Sequence, residues 1–267
     1  MGFTYKTYIG NRREKLMNSI ILELSAVEDR IIDNKGMYSF EIYKKLSEML
    51  EIEKKEELRV SNIFGEFFNE TIKLEKEKKY RIRVITKSQK NFSNLQKKLF
   101  EIAVNKEKIE IGEGVFRLSG IITRNETWCG KYDLKKEWDN LSPEVTNFYK
   151  KINMKIVNPI LMNRKSVFRF DKILEIILKD VENEVEFEMG KIKESILNSV
   201  IVKKEYYREK RVNLLNNEIK KVHLGDIEVV LQGYYGKMLL TFLQYVKYTG
   251  VGELKEYGFG EIIIKKD

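Results

Sequence analysis

Apolar residues recur along the chain at two spacings, and their succession predicts an α+β protein. In residues 38–50, Ile42, Tyr43, Leu46, Met49 and Leu50 fall on one face at helical spacing. Phe92, Leu95, Leu99 and Ile102 repeat that stripe in 91–104, and Ile173, Leu174, Ile177, Leu178 and Val181 repeat it in 170–181. A fourth helix, 237–248, carries Leu239, Phe242, Leu243 and Val246 at i, i+3, i+4 and i+7. Short apolar runs between the helices predict strands at 19–24, 58–64, 80–85, 115–122, 151–157 and 260–265, with extended segments near 198–203 and 227–235.

The order β-α-β-β-α-β is thereby read twice. This is the ferredoxin-like arrangement, in which two helices cover one face of an antiparallel sheet and leave the other available. The expected architecture is two tandem ferredoxin-like folds packed side by side, residues 1–130 and 131–267, with the boundary in the polar stretch 124–142. No Gly, Ser or Pro-rich linker marks it, which argues for halves packed on each other. Residues 1–16, with Arg12, Arg13 and Lys15, read as a basic extension ahead of the first strand.

Composition then narrows the partners. A 267-residue chain that is 42% hydrophobic can bury a proper core, so disorder is excluded as the default. With 50 Lys and Arg against 41 Asp and Glu the net charge is +9, the balance of a polyanion binder, although genome bias toward lysine gives the same number. The charge is concentrated: residues 71–100 hold ten Lys or Arg against Glu75 and Glu77 only. Neutralising phosphates releases counterions, so Arg81 and Arg83 in this stretch are candidate RNA contacts; a solvated lysine-rich face is the alternative. The lone Cys129 excludes an internal disulfide and a cysteine zinc site, fits a reducing cytoplasm, and reads as a small packed hydrophobe. No run approaches the roughly 18 apolar residues of a membrane helix, and residues 1–15 lack a signal-peptide core. A soluble, cytoplasmic protein without a membrane partner is expected. Acidic residues at 182–188 lack metal-ligand spacing, so neither metal nor cofactor is expected.

The most informative segment is KYTGVGELKEYGFGE at 247–261, with Gly250, Gly252, Gly258 and Gly260. Glycines permit φ > 0 and close backbone approach, so N–H groups here can converge on a phosphate. A dinucleotide fingerprint fails on context, because a helix precedes this loop and a strand follows it. A plain helix-to-strand turn is the simpler alternative, but four glycines in two Gly-x-Gly pairs exceed what one turn requires. Lys237 and Lys247 on the preceding helix and Lys255 within the loop are candidate RNA phosphate contacts. A second basic grouping, 203–211, interleaves Lys203, Lys204, Arg208, Lys210 and Arg211 with Tyr206 and Tyr207, suiting a hairpin that grips phosphates and stacks a base; a merely exposed hairpin or frayed helix fits equally. Trp128 and Trp138 are better read as core than as stacking platforms.

The GYYG at 233–236, the helix after it and the two glycine pairs resemble the C-terminal signature of the CRISPR-associated repeat-RNA endoribonucleases, of the repeat-associated RNA-binding superfamily. A weaker, collinear likeness runs through the first strand, the helix with Tyr43, LRVSNIFG at 58–65 and the basic stretch 80–104. The resemblance implies a basic cleft for CRISPR repeat RNA and cleavage without metal by the ribose 2′-hydroxyl, leaving a 2′,3′-cyclic phosphate. Partners would be that RNA and other effector-complex subunits, with a homodimer as a further option. Many relatives carry a catalytic histidine after the first helix; here residues 51–57 read EIEKKEE, and the single histidine is His223. Three accounts stay open. Lys54 and Lys55, with Tyr43, take over the chemistry; His223 reaches in from the second half; or the chain binds repeat RNA without efficient cleavage.

Overall fold

The computed structural model describes residues 16–34, 37–52, 54–124, 128–144, 147–162, 168–185, 189–214 and 218–266. Most of the expected basic extension lies outside them.

The first half is built on β1 (Met17–Ala26), α1 (Ser39–Leu50), β3 (Leu58–Val60), β5 (Lys79–Thr86), α2 (Gln89–Asn105) and β7 (Gly114–Ile122). Its sheet runs β3-β5-β1-β7, all antiparallel, the strand order of a ferredoxin-like fold. A β6 strand (Lys108–Ile111) extends it beyond β7, β8 (Gly130–Tyr132) pairs with the start of β1, and β2 (Arg30–Asp33) with β4 (Thr71–Leu74) forms a separate small ladder. Local chemistry sets the helix ends: the Ser88 hydroxyl accepts from the Asn91 N–H at 3.1 Å to cap α2, and Glu51 and Lys106 close α1 and α2 in the left-handed conformation. The expected strand at 58–64 is regular only to Val60. Beyond it the Asn62 carboxamide oxygen accepts from the Ile63 N–H, bending the chain while Ser61 and Phe64 still donate to β5.

The second half repeats the plan with β9 (Tyr149–Leu161), α4 (Phe170–Glu182), β10 (Val200–Asn213), β11 (Ile219–Gln232), α6 (Gly233–Thr249) and β12 (Ile262–Lys266), in sheet order β10-β11-β9-β12. Helices α3 (Leu134–Asp139) and α5 (Met189–Asn198) are additions. The GYYG segment belongs to α6 instead of the preceding strand. Gly236 lets the first turn fold back on β11, where a Cβ would come within 2.9 Å of the Leu231 carbonyl carbon. Tyr132 is paired into the first sheet yet packs, like Leu134, on the second core, so this stretch belongs to both halves.

Each half packs its helices on one side of its sheet, and the two cores meet. Val212 and Val222, near the end of the long β10–β11 hairpin, are buried in the first core, and Lys210 Nζ sits 4.1 Å above the Phe68 ring. Tyr257 and Phe259 also enter the first core, while Met17 and Leu134 enter the second.

Candidate functional site

The elements that carried the sequence argument converge where the halves join. The segment after α6 runs from Gly250 to Gly260 through a short 3-10 turn, Lys255–Tyr257, which rests on α1 and β3. Tyr257 meets Phe40 with ring centroids 4.0 Å apart and Tyr43 edge-on at 5.0 Å. Immediately beyond α1, Lys54 and Lys55 open a second 3-10 turn (Lys55–Glu57) with both side chains exposed. The Tyr43 hydroxyl donates to the Lys55 carbonyl at 3.3 Å. Tyr43 is only 8% exposed, and burial, with Tyr257, Glu256 and Glu56 nearby, pushes its phenol up to about 12. At neutral pH it therefore keeps its proton and acts as a donor, not a base.

Two buried arginines of the first half fix the loop of the second. Arg59, on β3, donates through Nε to the Lys255 carbonyl at 2.9 Å, through Nη1 to that of Tyr248 at 2.8 Å and through Nη2 to that of Phe259 at 3.3 Å. Its guanidinium fills the space that Gly250 leaves open, since a Cβ there would lie 2.9 Å from Arg59 Cζ. Arg83, on β5, is 1% exposed; it bonds the Glu261 carboxylate at 2.7 Å and the Lys247 carbonyl at 3.1 Å. The other Glu261 oxygen accepts from the Asn158 amide at 2.8 Å. Removing charge from water is unfavourable unless it is paired and hydrogen-bonded; Arg83 and Glu261 are paired at 2.7 Å, while Arg83 Nη2 is buried with no hydrogen-bond partner among the described residues.

The glycines serve this packing. Gly260, at φ +66, lies so close to Val251 that a Cβ would overlap its carbonyl; Gly252 abuts the Leu161 carbonyl and Gly258 that of Val60. The N–H groups of Gly250, Gly258 and Gly260 donate to Val246, Lys255 and Pro159 carbonyls. These three amides are therefore engaged within the protein, and the loop is a mould around Arg59. The exposed residue of the loop is Glu253, and the half-buried Lys255 bonds Asp180 through Nζ at 2.6 Å.

The other candidates are distributed around this junction. Arg83 faces inward, so its charge serves the junction, and Arg81, beside it, is half-exposed and bound to Glu23 at 2.8 Å. Lys237 and Lys247 are half-buried on α6, with Lys247 Nζ 5.8 Å from the Tyr248 ring centroid. Lys203, Lys204 and Arg208 stand exposed along β10. His223, on β11, is strand-opposite Ile160 of β9 and Glu209 of β10. Its ring stacks on Phe168 at 4.3 Å, and burial lowers its pKa. Trp138 stacks on Phe242 and Trp128 packs edge-on against Phe64. Cys129 is half-buried, its thiol 3.1 Å from the Ile122 carbonyl. Among the described residues no helix is long and apolar enough to cross a membrane.

Sequence reasoning missed Arg59, Glu261 and Asn158. Arg59 stands between two apolar residues in a strand, a pattern that ordinarily puts the charge toward solvent; what lies on that side is the second half of the protein.

No protein-family model and no curated protein matches the chain. Solved structures do. A Cas6 product complex is 17% identical with a TM-score of 0.64, covering 94% of this chain and all of that one. Thermus thermophilus Cas6 is 14% identical with a TM-score of 0.62, over 94% and 98% of the two chains. A partial Cas6-RT-Cas1–Cas2 complex is 12% identical with a TM-score of 0.65, over 96% of this chain and 47% of that one. The chain therefore has the fold of Cas6, the CRISPR-associated proteins that its glycine-rich C-terminal segment resembles.

Proposed function

We propose that the protein is an endoribonuclease that binds CRISPR repeat RNA and cuts the precursor without metal. The observation that carries this reading is the junction itself: in a chain with the Cas6 fold, exposed Lys54 and Lys55 stand at the end of α1, joined through Tyr43 to the glycine-rich turn. In the reaction the ribose 2′-oxygen attacks the adjacent phosphorus and gives up its proton, and the bond from phosphorus to the 5′-oxygen breaks. The leaving 5′-oxygen takes up a proton. The products are a 2′,3′-cyclic phosphate and a 5′-hydroxyl. The Lys54 and Lys55 ammonium groups neutralise charge developing on the phosphoryl oxygens, and Tyr43 holds the Lys55 backbone in place. Lys203, Lys204 and Arg208 on the exposed β10 strand supply phosphate contacts.

A second reading, a repeat-RNA-binding subunit of an effector complex, is favoured by the absence of a histidine from residues 51–57. Single-turnover cleavage separates the accounts. Lys54→Ala or Lys55→Ala lowers the rate about 10²-fold or more with little change in affinity, the usual scale for one transition-state donor. Loss of cleavage in His223→Ala with both lysine variants active transfers the chemistry to His223.

A further inference from the structure

The turn that carries Lys54 and Lys55 is held unevenly. At its far end Glu57 is pinned to the start of α2: the Asn91 amide donates to its carboxylate at 2.7 Å, and the Lys87 N–H donates to its carbonyl at 3.1 Å. At the near end, among the described residues, the hydrogen bond that ties Lys55 to the rest of the first half is the one from the Tyr43 hydroxyl to its carbonyl, at 3.3 Å. Hydroxyl donors usually sit about 2.7–2.8 Å from their acceptors, so this longer bond depends on where the Tyr43 ring is held. Both lysine side chains are exposed and flexible, and the backbone beneath them limits where their ammonium groups reach.

A residue of the second half sets that ring. Phe40 and Tyr43 are neighbours one turn apart on α1, and the Tyr257 ring fills the slot between them, tilted against Phe40 at 4.0 Å and edge-on to Tyr43 at 5.0 Å. Tyr257 is 9% exposed and lies in the first core. Its backbone is fixed on both sides. Leu254 at φ +55 and Gly258 at φ +83 turn the chain, Arg59 Nε donates to the Lys255 carbonyl, and a Cβ at Gly258 would come within 2.8 Å of the Val60 carbonyl oxygen. The Tyr257 hydroxyl makes no hydrogen bond among the described residues. Its contribution is therefore the ring, a wall that keeps Tyr43 turned toward Lys55.

We propose that Tyr257 is a positioning residue for cleavage: its ring, packed against Tyr43, fixes the Tyr43 hydroxyl on the Lys55 carbonyl and so aligns Lys54 and Lys55 with the scissile phosphate. Tyr257 acts through Tyr43 and not on the RNA. A displacement of about 1 Å at reacting groups costs up to about 10²-fold in rate, so a wall on one ring has a measurable effect on chemistry. The inference rests on the lysine reading above and adds a condition to it: the turn of the first half is aligned only while the glycine-rich loop of the second is seated.

The test is single-turnover cleavage of end-labelled repeat RNA over a range of protein concentrations, which separates the maximal rate from half-saturation. Tyr257→Leu keeps apolar volume and removes the ring; it lowers the maximal rate about ten-fold or more, while half-saturation stays within about two-fold. Tyr257→Phe, which keeps the ring, cuts at the wild-type rate. In a Tyr43→Phe background, where the hydroxyl is already gone, Tyr257→Leu causes no further loss. Hydrogen exchange of the RNA-free protein reads the turn without activity. In Tyr257→Leu the Glu57 amide, bonded to the Lys54 carbonyl at 3.0 Å, exchanges faster, while amides of α1 and β5 keep wild-type protection. A wild-type rate in Tyr257→Leu, or a loss that adds in full to that of Tyr43→Phe, overturns the proposal. Exchange raised equally throughout the first half also overturns it and leaves Tyr257 as core packing, and a loss of affinity in place of rate assigns Tyr257 to RNA binding instead. If wild type cuts and Lys54→Ala and Lys55→Ala cut as fast, the lysine reading fails and the positioning role fails with it; if both lysine variants are slow and Tyr257→Leu is not, only the positioning role fails.

Discussion

Replacing Arg59 by alanine removes the clasp between β3 and the glycine-rich loop without touching any exposed group. Arg59→Ala leaves the Tyr248 and Phe259 carbonyls buried without their donor, a loss of about 1–3 kcal/mol each, and frees the more accessible Lys255 carbonyl as well. A void against Gly250 adds to this. In the opposite direction, burial with Arg83 nearby already lowers the Arg59 pKa to about 10, and deleting the guanidinium relieves that desolvation penalty. The net loss is about 3 kcal/mol, set against a usual total of about 5–15. Urea titration followed by circular dichroism reads the difference, and hydrogen exchange shows where it falls: amides between Gly250 and Gly260 lose protection first. Arg59→Lys, which keeps a charge but not the fork, falls between alanine and wild type. A shift below about 1 kcal/mol, or exchange that is unchanged across the loop, would refute the view that Arg59 holds it.

Three further outcomes follow from the same structure. Breaking the Arg83–Glu261 pair by Glu261→Gln strands a buried cation and destabilises the fold by about 3–5 kcal/mol, and a double-mutant cycle with Arg83→Met recovers part of the loss. His223 has a folded pKa below its unfolded value of about 6.5, so the unfolded chain binds more protons near pH 6; the histidine's contribution to stability rises with pH and is lost on acidification through the unfolded pKa. Urea midpoints at several pH values check this, and His223→Phe loses that part of the slope. RNA affinity falls steeply with salt, and replacing Lys203, Lys204 and Arg208 reduces the slope of log K against log salt; an unchanged slope contradicts phosphate contacts from β10.

What the sequence made legible follows from how strongly each element states its period. Helices α1, α2 and α4 carry apolar stripes of four or more positions, and each was placed within two residues. Strand β10 reads as extended at its start but as either a hairpin or a frayed helix over 203–211, because nearly all of it is exposed and its side chains offer no alternation to read. The four-residue strands β2, β4 and β6 are too short for periodicity to register. At the junction, the glycines announce themselves by a local motif, whereas Tyr43, Lys54 and Lys55 are singled out only by the resemblance, which marks where relatives carry a histidine. The Arg59 contacts span 189 to 200 residues of sequence, and no local pattern announces a partner that distant. The four glycines were read as facing a ligand; their positive φ values were foreseen, while the backbone they make room for is the protein's own.

The most direct test of the account is incubation of purified wild-type protein with end-labelled repeat RNA from its own array, in EDTA, beside the same RNA carrying a single deoxyribose at the scissile nucleotide. The account predicts one cut with a 2′,3′-cyclic phosphate end in the first RNA, and binding without a cut in the second, because only the nucleophile has been removed. Cleavage of the deoxy-substituted RNA, or binding of both RNAs with no cyclic-phosphate product from either, would contradict it.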